Sequence, residues 1–158
     1  MIAVKKQDRI NYVLLMHAIR YNDTEEVKEL IATKGVKLLD LQDEETRVTP
    51  LIEAIRQHRT AMATLLIESG ADINLQDKTG TTPVMAAIQE FEKEITQLLI
   101  TKNAKLYLLD STGMTAIGWA FYLHSDSLSL LINAFQNSVK YKSQLIDILT
   151  KNTNPQTH

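Results

Sequence analysis

Histidine, serine and carboxylate side chains are the groups in this chain that are best suited to acid–base, nucleophilic or metal chemistry. The four histidines are His17, His58, His124 and His158. The string His124-Ser125-Asp126-Ser127 contains the residue types of a catalytic triad. Triads are assembled from distant parts of a fold, so adjacency along the chain does not support one. We expect Ser125 or Asp126 to cap a helix instead.

Metal, thiolate and phosphate chemistry find no better support in the residues. The chain has no cysteine, which excludes disulfides, thiolate nucleophiles and thiolate metal sites. His58 and His124 occupy equivalent positions two structural units apart, which places their rings roughly 16–20 Å apart at the usual helix spacing. One zinc ion binds nitrogen at about 2 Å, so it cannot join them. The sequence therefore predicts no catalytic residue, no metal and no cofactor.

Charge and hydropathy argue against nucleic-acid and membrane partners. The net charge is −2, and the chain has no continuous basic stripe of the kind that contacts phosphates. Residues 40–94 carry 11 acidic and 5 basic side chains, so the middle of the chain is mildly acidic. No stretch approaches the roughly 18 apolar residues of a membrane span, and the N-terminal apolar run is too short for a signal peptide. We expect a cytoplasmic, intracellular protein that is monomeric by itself.

The chain is organised around a segment that recurs at a fixed step. Thr49-Pro50-Leu51 returns 33 residues later as Thr82-Pro83-Val84, and again 33 residues later as Thr115-Ala116-Ile117. A period of 33 residues headed by Thr-Pro-Leu is the sequence signature of ankyrin repeats. The chain resembles the ankyrin family over roughly residues 12 to 137.

The resemblance implies an all-α fold: an ankyrin-repeat solenoid of stacked helix-turn-helix units with short connecting β-hairpins, in one domain over residues 1–158. The repeats are expected at about 12–43, 44–77, 78–110 and 111–137, followed by a C-terminal capping helix at 139–151 and a frayed tail at 152–158. The recurring threonine suits a helix cap, and the proline suits the first helical position. Gly80 and Gly113 suit tight turns with positive φ. Residues 3–20 are expected to form one lengthened helix.

Several positions depart from the family pattern. The histidine that normally follows Thr-Pro-Leu is replaced by Met16, Ile52, Met85 and Gly118. The glycine that normally separates the two helices is replaced by Asn22, His58, Phe91 and His124. A left-handed backbone is tolerated there by asparagine but poorly by Phe91. The first unit aligns through Ala18, holds three extra residues, and has a connection from Asp43 to Val48 that is one residue longer and lacks glycine.

The resemblance also implies that another protein binds on the concave face, which is formed by the connections and the exposed sides of the first helices. On the first helices, the candidate contact residues are Arg20, Tyr21, Arg56, Gln57, Gln89, Glu90, Tyr122 and Leu123. On the connections, they are Glu44, Glu45, Arg47, Lys78, Thr79, Thr81 and Met114. Exposed aromatic and arginine side chains are common hot spots of protein interfaces.

These observations predict a non-catalytic protein–protein interaction module of the adaptor or inhibitor type. Two alternatives stay open. Ankyrin chains of this size also occur among the effectors that intracellular bacteria deliver into host cells, and the Lys-, Ile- and Asn-leaning composition is compatible with such a source. An enzyme or small-ligand binder on a repeat scaffold would need a deep polar pocket, and the sequence supplies no convergent titratable cluster for one.

Overall fold

The computed structural model describes residues 2–137 and shows eight α-helices and one 3-10 helix over that range. In chain order they are α1 (Ile2–Arg20), α2 (Thr24–Lys34), the 3-10 helix (Val36–Asp40), α3 (Pro50–Arg56), α4 (Thr60–Glu68), α5 (Pro83–Gln89), α6 (Lys93–Thr101), α7 (Ala116–Tyr122) and α8 (Ser127–Asn137). The lengthened N-terminal helix is confirmed. The predicted capping helix at 139–151 and the tail at 152–158 lie outside the described residues.

The helices pack in two rows. The first row holds α1, α3, α5 and α7, each in contact with the next, and the second row holds α4, α6 and α8. The two helices of each unit also pack on each other. Both rows contribute to the core, in which Ile55, Leu66, Ile88 and Leu99 are fully buried. The predicted all-α stack of helix pairs is confirmed.

Each first helix of units two to four begins at a threonine cap. The hydroxyl oxygens of Thr49, Thr82 and Thr115 accept hydrogen bonds from the N–H groups three residues further on, at 3.2, 3.3 and 3.2 Å. Pro50 and Pro83 occupy the start of the helix, where no N–H is required. The small residue at the centre of each first helix has no exposed area and lets neighbouring helices approach closely. These residues are Ala18, Ala54, Ala87 and Ala120.

The connections between units are tight turns, and no β-strand is assigned among residues 2–137. The expected β-hairpins are therefore reduced to their turns. The Asp77 N–H donates to the Thr81 carbonyl at 3.1 Å, and the Asp110 N–H donates to the Met114 carbonyl at 3.0 Å. One cross-chain hydrogen bond closes each of these two turns, whereas a strand ladder needs a series of them.

Left-handed backbone recurs where the family pattern carries glycine. Between the two helices of each unit, φ is 57° at Asn22, 54° at His58, 57° at Phe91 and 50° at His124. The conformation is therefore kept even at a bulky aromatic residue, at a cost of about 1–2 kcal/mol. In the first connection, Arg47 has a φ of 55°. It takes the place of Gly80 and Gly113 in the later turns.

The first unit differs most from the others. α2 has 11 residues, whereas α4 and α6 have 9 each. A 3-10 helix, which the sequence did not predict, follows α2 and buries Leu38 and Leu39. The first connection closes with the Asp43 N–H donating to the Val48 carbonyl at 3.2 Å, and it is one residue longer than the later turns, as predicted. The extra residues of this unit are therefore absorbed in a longer helix, an added helical turn and a wider connection.

Candidate functional site

Each of the second and third turns is organised around one aspartate. One oxygen of Asp77 accepts hydrogen bonds from the Thr79 N–H at 2.8 Å, the Thr79 hydroxyl at 2.7 Å and the Thr81 N–H at 3.0 Å. Asp110 repeats this pattern with the N–H and hydroxyl of Thr112 and the N–H of Met114. The turn backbone is thus fixed by the sequence Asp-x-Thr-Gly, in which the carboxylate binds donors that would otherwise be unpaired.

The second oxygen of each aspartate binds a side chain from a first helix. For Asp77 the donor is the Arg56 guanidinium at 2.8 Å, and for Asp110 it is the Trp119 indole N–H at 2.6 Å. Burial alone would raise the pKa of Asp77, but hydrogen bonds from the Thr79 hydroxyl and from Arg56 favour the charged form and bring the pKa below its ordinary value. Asp110 follows the same pattern.

The first turn is held by its own residues. Asp43 accepts hydrogen bonds from the Glu45 N–H at 3.1 Å and from the N–H and hydroxyl of Thr46, both at 2.8 Å. The Thr46 N–H is the largest cause of the lowered pKa of Asp43, and the Thr46 hydroxyl is the next. Glu44 and Glu45 at the tip are exposed. This turn therefore presents an acidic tip that no helix side chain covers among the contacts of the described residues.

The three turns are bonded to one another. The Lys78 N–H donates to the Thr46 carbonyl and the Ser111 N–H donates to the Thr79 carbonyl, both at 2.8 Å. Glutamine side chains add a second link at equivalent positions. The Gln42 amide donates to Arg47 and Gln76 carbonyls, and the Gln76 amide donates to Gly80 and Leu109 carbonyls, at 2.6–2.9 Å. The turns 43–48, 77–81 and 110–114 and the first-helix side chains beside them form one continuous surface, which we call the turn face.

The predicted contact residues divide into three groups by exposure. The exposed ones are Arg20, Tyr21, Glu44, Glu45, Arg47, Lys78, Thr79 and Tyr122. The half-buried ones are Arg56, Gln57, Gln89, Glu90, Met114 and Leu123. Thr81 is buried, its hydroxyl lies 3.0 Å from that of Thr79, and its N–H is bound to Asp77. Thr81 therefore shapes the turn and does not present a side chain to a partner, which corrects the sequence-based expectation for this residue.

Arg56, Met114 and Leu123 are also less available than the sequence suggested. Arg56 is committed to Asp77. The Met114 side chain packs over Gly118, since a Cβ added at that glycine would lie 3.2 Å from the Met114 methyl carbon. Leu123 packs against the core. The sequence could have signalled the Met114 contact, because Gly118 replaces the larger residues that fill the same position in the other units.

Hydrogen bonds also connect the first helices on this side. The Arg20 guanidinium donates to the Glu53 carboxylate of the next unit at 3.3 Å, and the Gln57 amide donates to the same carboxylate oxygen at 2.7 Å. The Arg20 side chain remains 61% exposed. It can therefore meet a partner while it is held in place by Glu53.

Two aromatic side chains stand out at the C-terminal end of the first row. Tyr122 is 68% exposed and Phe121 is 69% exposed. The Tyr122 ring contacts the Trp119 ring edge to face at 5.9 Å. Sequence reasoning missed Phe121, because the equivalent residues Ile55 and Ile88 are core residues. The change from isoleucine to a larger aromatic ring was the available signal.

The largest described cleft has a volume of about 580 Å³ and lies between α1 and the first turn. Its lining includes Asp8, Arg9, Tyr12 and Asp43. The Tyr12 hydroxyl donates to the Val48 carbonyl at 3.1 Å, and burial, followed by the charge of Asp43, raises the pKa of Tyr12 to about 12. The phenol is therefore protonated and structural, and the cleft offers no pair of groups arranged for nucleophilic attack.

Neither metal chemistry nor a membrane segment is visible in the described part of the chain. Among residues 2–137, no three or more His, Asp and Glu side chains are grouped closely enough to hold a metal ion. Over the same range, none of the helices has the length and hydropathy that crossing a bilayer requires.

Comparison with known proteins identifies the family. The chain matches the family model for ankyrin repeats (3 copies) over residues 2–77 and 65–143. No curated protein shows a significant match. Ankyrin repeats generally mediate protein–protein interactions. The stacked helix pairs, the turns bonded at a 33-residue interval and the family match over most of the chain show that this protein belongs to the ankyrin-repeat family.

Proposed function

We propose that this chain is a non-catalytic module that binds one partner protein across the turn face. The observation that carries the proposal is the continuous bonding of the three turns, which holds their tips in a fixed arrangement before any partner arrives. Preorganised surfaces lose less conformational entropy on binding than flexible ones. Each repeat contacts only its neighbours in such arrays, and their extended faces are the usual binding surfaces.

The charges and aromatic groups of the turn face describe the partner that would fit it. Glu44 and Glu45 give the first tip an acidic surface, whereas Lys78 lies exposed on the second turn. Tyr122 offers an exposed aromatic ring at the other end of the first row. A partner that brings basic side chains to the first turn and an apolar group to Tyr122 would match both ends. Such a contact suits an adaptor or inhibitor that forms a one-to-one complex in the cytoplasm.

Affinity measurements on variants test this proposal. A partner would first be isolated from the source cell, or from its host, with the chain as the affinity reagent, and then titrated calorimetrically against Tyr122→Ala and the double variant Glu44→Gln/Glu45→Gln. Truncation of a central aromatic residue commonly costs about 2 kcal/mol, roughly 30-fold in affinity. The glutamate variant should mainly lower the association rate and its dependence on salt.

A matched control is Lys102→Ala. Lys102 is exposed and pairs with Glu68 at 2.9 Å, and both residues lie at the ends of second-row helices. We expect this variant to bind like the parent. If the turn-face variants bind like the parent while Lys102→Ala weakens the complex, the partner binds the second row of helices and the proposal is wrong.

A further inference from the structure

One side of α1 exposes an apolar surface that the equivalent helices bury. Ile10, Val13, Leu14 and Tyr21 are all exposed, with the exposed His17 between them. At about 100° per residue these five positions share one side of the helix. Leu15 and Ile19, which point to the opposite side, are fully buried. We call the five-residue surface the end face.

The repeat shows what the end face corresponds to. Val13 is 58% exposed, whereas its equivalents Thr49 and Thr82 are 1% exposed. Leu14 is 40% exposed, whereas the equivalent prolines Pro50 and Pro83 are buried. In units two and three, these positions are covered because each first helix packs against the preceding one.

The position of His17 leads to the same conclusion. Its equivalent in the second unit is Glu53, whose side chain is 18% exposed and bound by Arg20 of the preceding helix. Ala86, the next equivalent, has no exposed area. The end face is therefore the side on which one more helix of the first row would pack. From Ile10 to Tyr21 it is roughly 16 Å long at the usual helical rise, which is enough for about three turns of a partner helix.

The charges beside the end face restrict the chemistry of that helix. Lys6, Arg9 and Arg20 are exposed on α1, and Asp8 is the only acidic residue of that helix. A second copy packed face to face would bring cations against cations, which is unfavourable. A helix with an apolar stripe and acidic flanks would bury the apolar side chains and pair its charges with those of α1.

We propose that the end face binds an acid-flanked amphipathic helix of a partner protein, which continues the first row of the solenoid beyond α1. Helices of this kind bind apolar grooves through side chains at i, i+3, i+4 and i+7. The end face is distinct from the exposed tips of the turns. Its failure in the test below would therefore leave the binding role of the turn face standing.

Synthetic helical peptides test the end face directly. Three fluorescein-labelled peptides of about 18 residues would be compared by anisotropy at low salt: leucines at helical spacing with flanking glutamates, the same leucines with flanking lysines, and the glutamate peptide with its leucines replaced by glutamine. The full chain should bind the first peptide at least about tenfold more tightly than either of the others, a difference of roughly 1.4 kcal/mol. Raising the salt should weaken this binding.

Variants assign the binding to the end face. Val13→Gln/Leu14→Gln should reduce affinity for the acidic peptide by about tenfold or more, with an unchanged circular dichroism spectrum because both side chains are exposed in the parent. Val36→Gln is the matched control, since Val36 is a similarly exposed valine on the 3-10 helix. It should bind like the parent.

Four results would overturn the proposal. They are equal or tighter binding of the basic peptide, absence of binding, binding that the double variant leaves unchanged, and loss of binding in the Val36→Gln control. Vesicles containing phosphatidylserine and sedimentation velocity of the chain alone complete the set. Vesicle binding lost in the double variant, without a peptide preference, would assign the end face to an anionic membrane. Self-association lost in that variant would assign it to a second copy.

Discussion

The second and first turns perform the same connection with different means. In the second turn, Asp77 is buried and binds the turn backbone through one oxygen and Arg56 through the other. In the first turn, Asp43 is half-buried, and its hydrogen bonds come from Glu45 and Thr46 within the turn. An interior turn is thus tied to a helix outside it, whereas the turn nearest the N-terminus is held locally.

This difference separates stability from recognition. The residues of the second turn that organise the array are buried or paired, so they are poorly placed to meet a partner. The first turn has fewer ties and exposes Glu44 and Glu45. We therefore expect substitutions in the second turn to change the free energy of unfolding most, and substitutions at the first tip to change binding most.

The largest expected effect comes from removal of the buried carboxylate. Asp77→Ala leaves the Thr81 N–H and the Arg56 guanidinium without their acceptor, and it should lower the free energy of unfolding by roughly 3 kcal/mol. Asp43→Ala removes hydrogen bonds that water can replace, and it should cost about 1 kcal/mol. Urea denaturation of both variants measures the two values. Equal losses would show that the tie to Arg56 adds nothing.

The next effect distinguishes two glycines with the same backbone conformation. Gly80 and Gly113 have φ of 78° and 80°, so alanine costs about 1 kcal/mol at either position. A Cβ at Gly80 would also lie 2.8 Å from the Cα of Asp110 in the next turn, whereas one at Gly113 meets nothing within 4 Å. Gly80→Ala should therefore cost roughly 2–3 kcal/mol in total.

Gly113→Ala is the control for this contact. If thermal and urea denaturation give the two alanine variants the same stability, the second and third turns are not in close contact. The bonding that unites the turn face would then lose one of its supports.

A smaller effect, of opposite sign, is expected where larger residues hold a left-handed backbone. Arg47→Gly in the first turn, or Phe91→Gly between α5 and α6, should relieve strain and stabilise the chain by roughly 0.5 kcal/mol after the entropy cost of glycine. Lys78→Gly serves as the control, because Lys78 lies in the second turn outside the set of positive-φ residues. It should destabilise the chain by a similar amount. Destabilisation by all three substitutions would contradict the interpretation.

The smallest effect is a dependence of stability on pH. The folded-state pKa values of Asp43, Asp77 and Asp110 are lowered. Their contribution to stability is therefore present above the ordinary aspartate pKa, near 4, and is lost as the pH falls through the folded values. Urea midpoints measured from pH 7 to about pH 3 should fall. The fall should be shallower in Asp77→Asn, and an unchanged profile in that variant would count against the charged interaction.

The stacked architecture could be predicted from the sequence because it rests on local, repeated signals. Thr49 and Thr82 cap helices, and Gly80 and Gly113 turn the chain, through chemistry confined to a few neighbouring residues. The side-chain roles on the turn face were harder to predict. Arg56 and Met114 looked like contact residues until their partners, Asp77 and Gly118, were known.

The exposed surfaces were also hard to predict, because exposure depends on which neighbour is present. Val13 occupies a position that is buried in the next two units, and Phe121 replaces a buried isoleucine. A repeat register predicts burial for both residues. The 3-10 helix at Val36–Asp40 has no equivalent in the other units, so the period carried no signal for it.

A hydrogen-exchange footprint of the chain, free and bound to an isolated partner, tests the turn face most directly. If the partner binds there, amide protection should increase at residues 44–47, 78–79 and 111–114 and at the C-terminal end of α7. The second-row helices α4 and α6 should exchange as they do in the free chain. Protection gained in α4 and α6, with unchanged exchange at the three turns, would contradict the proposed binding surface.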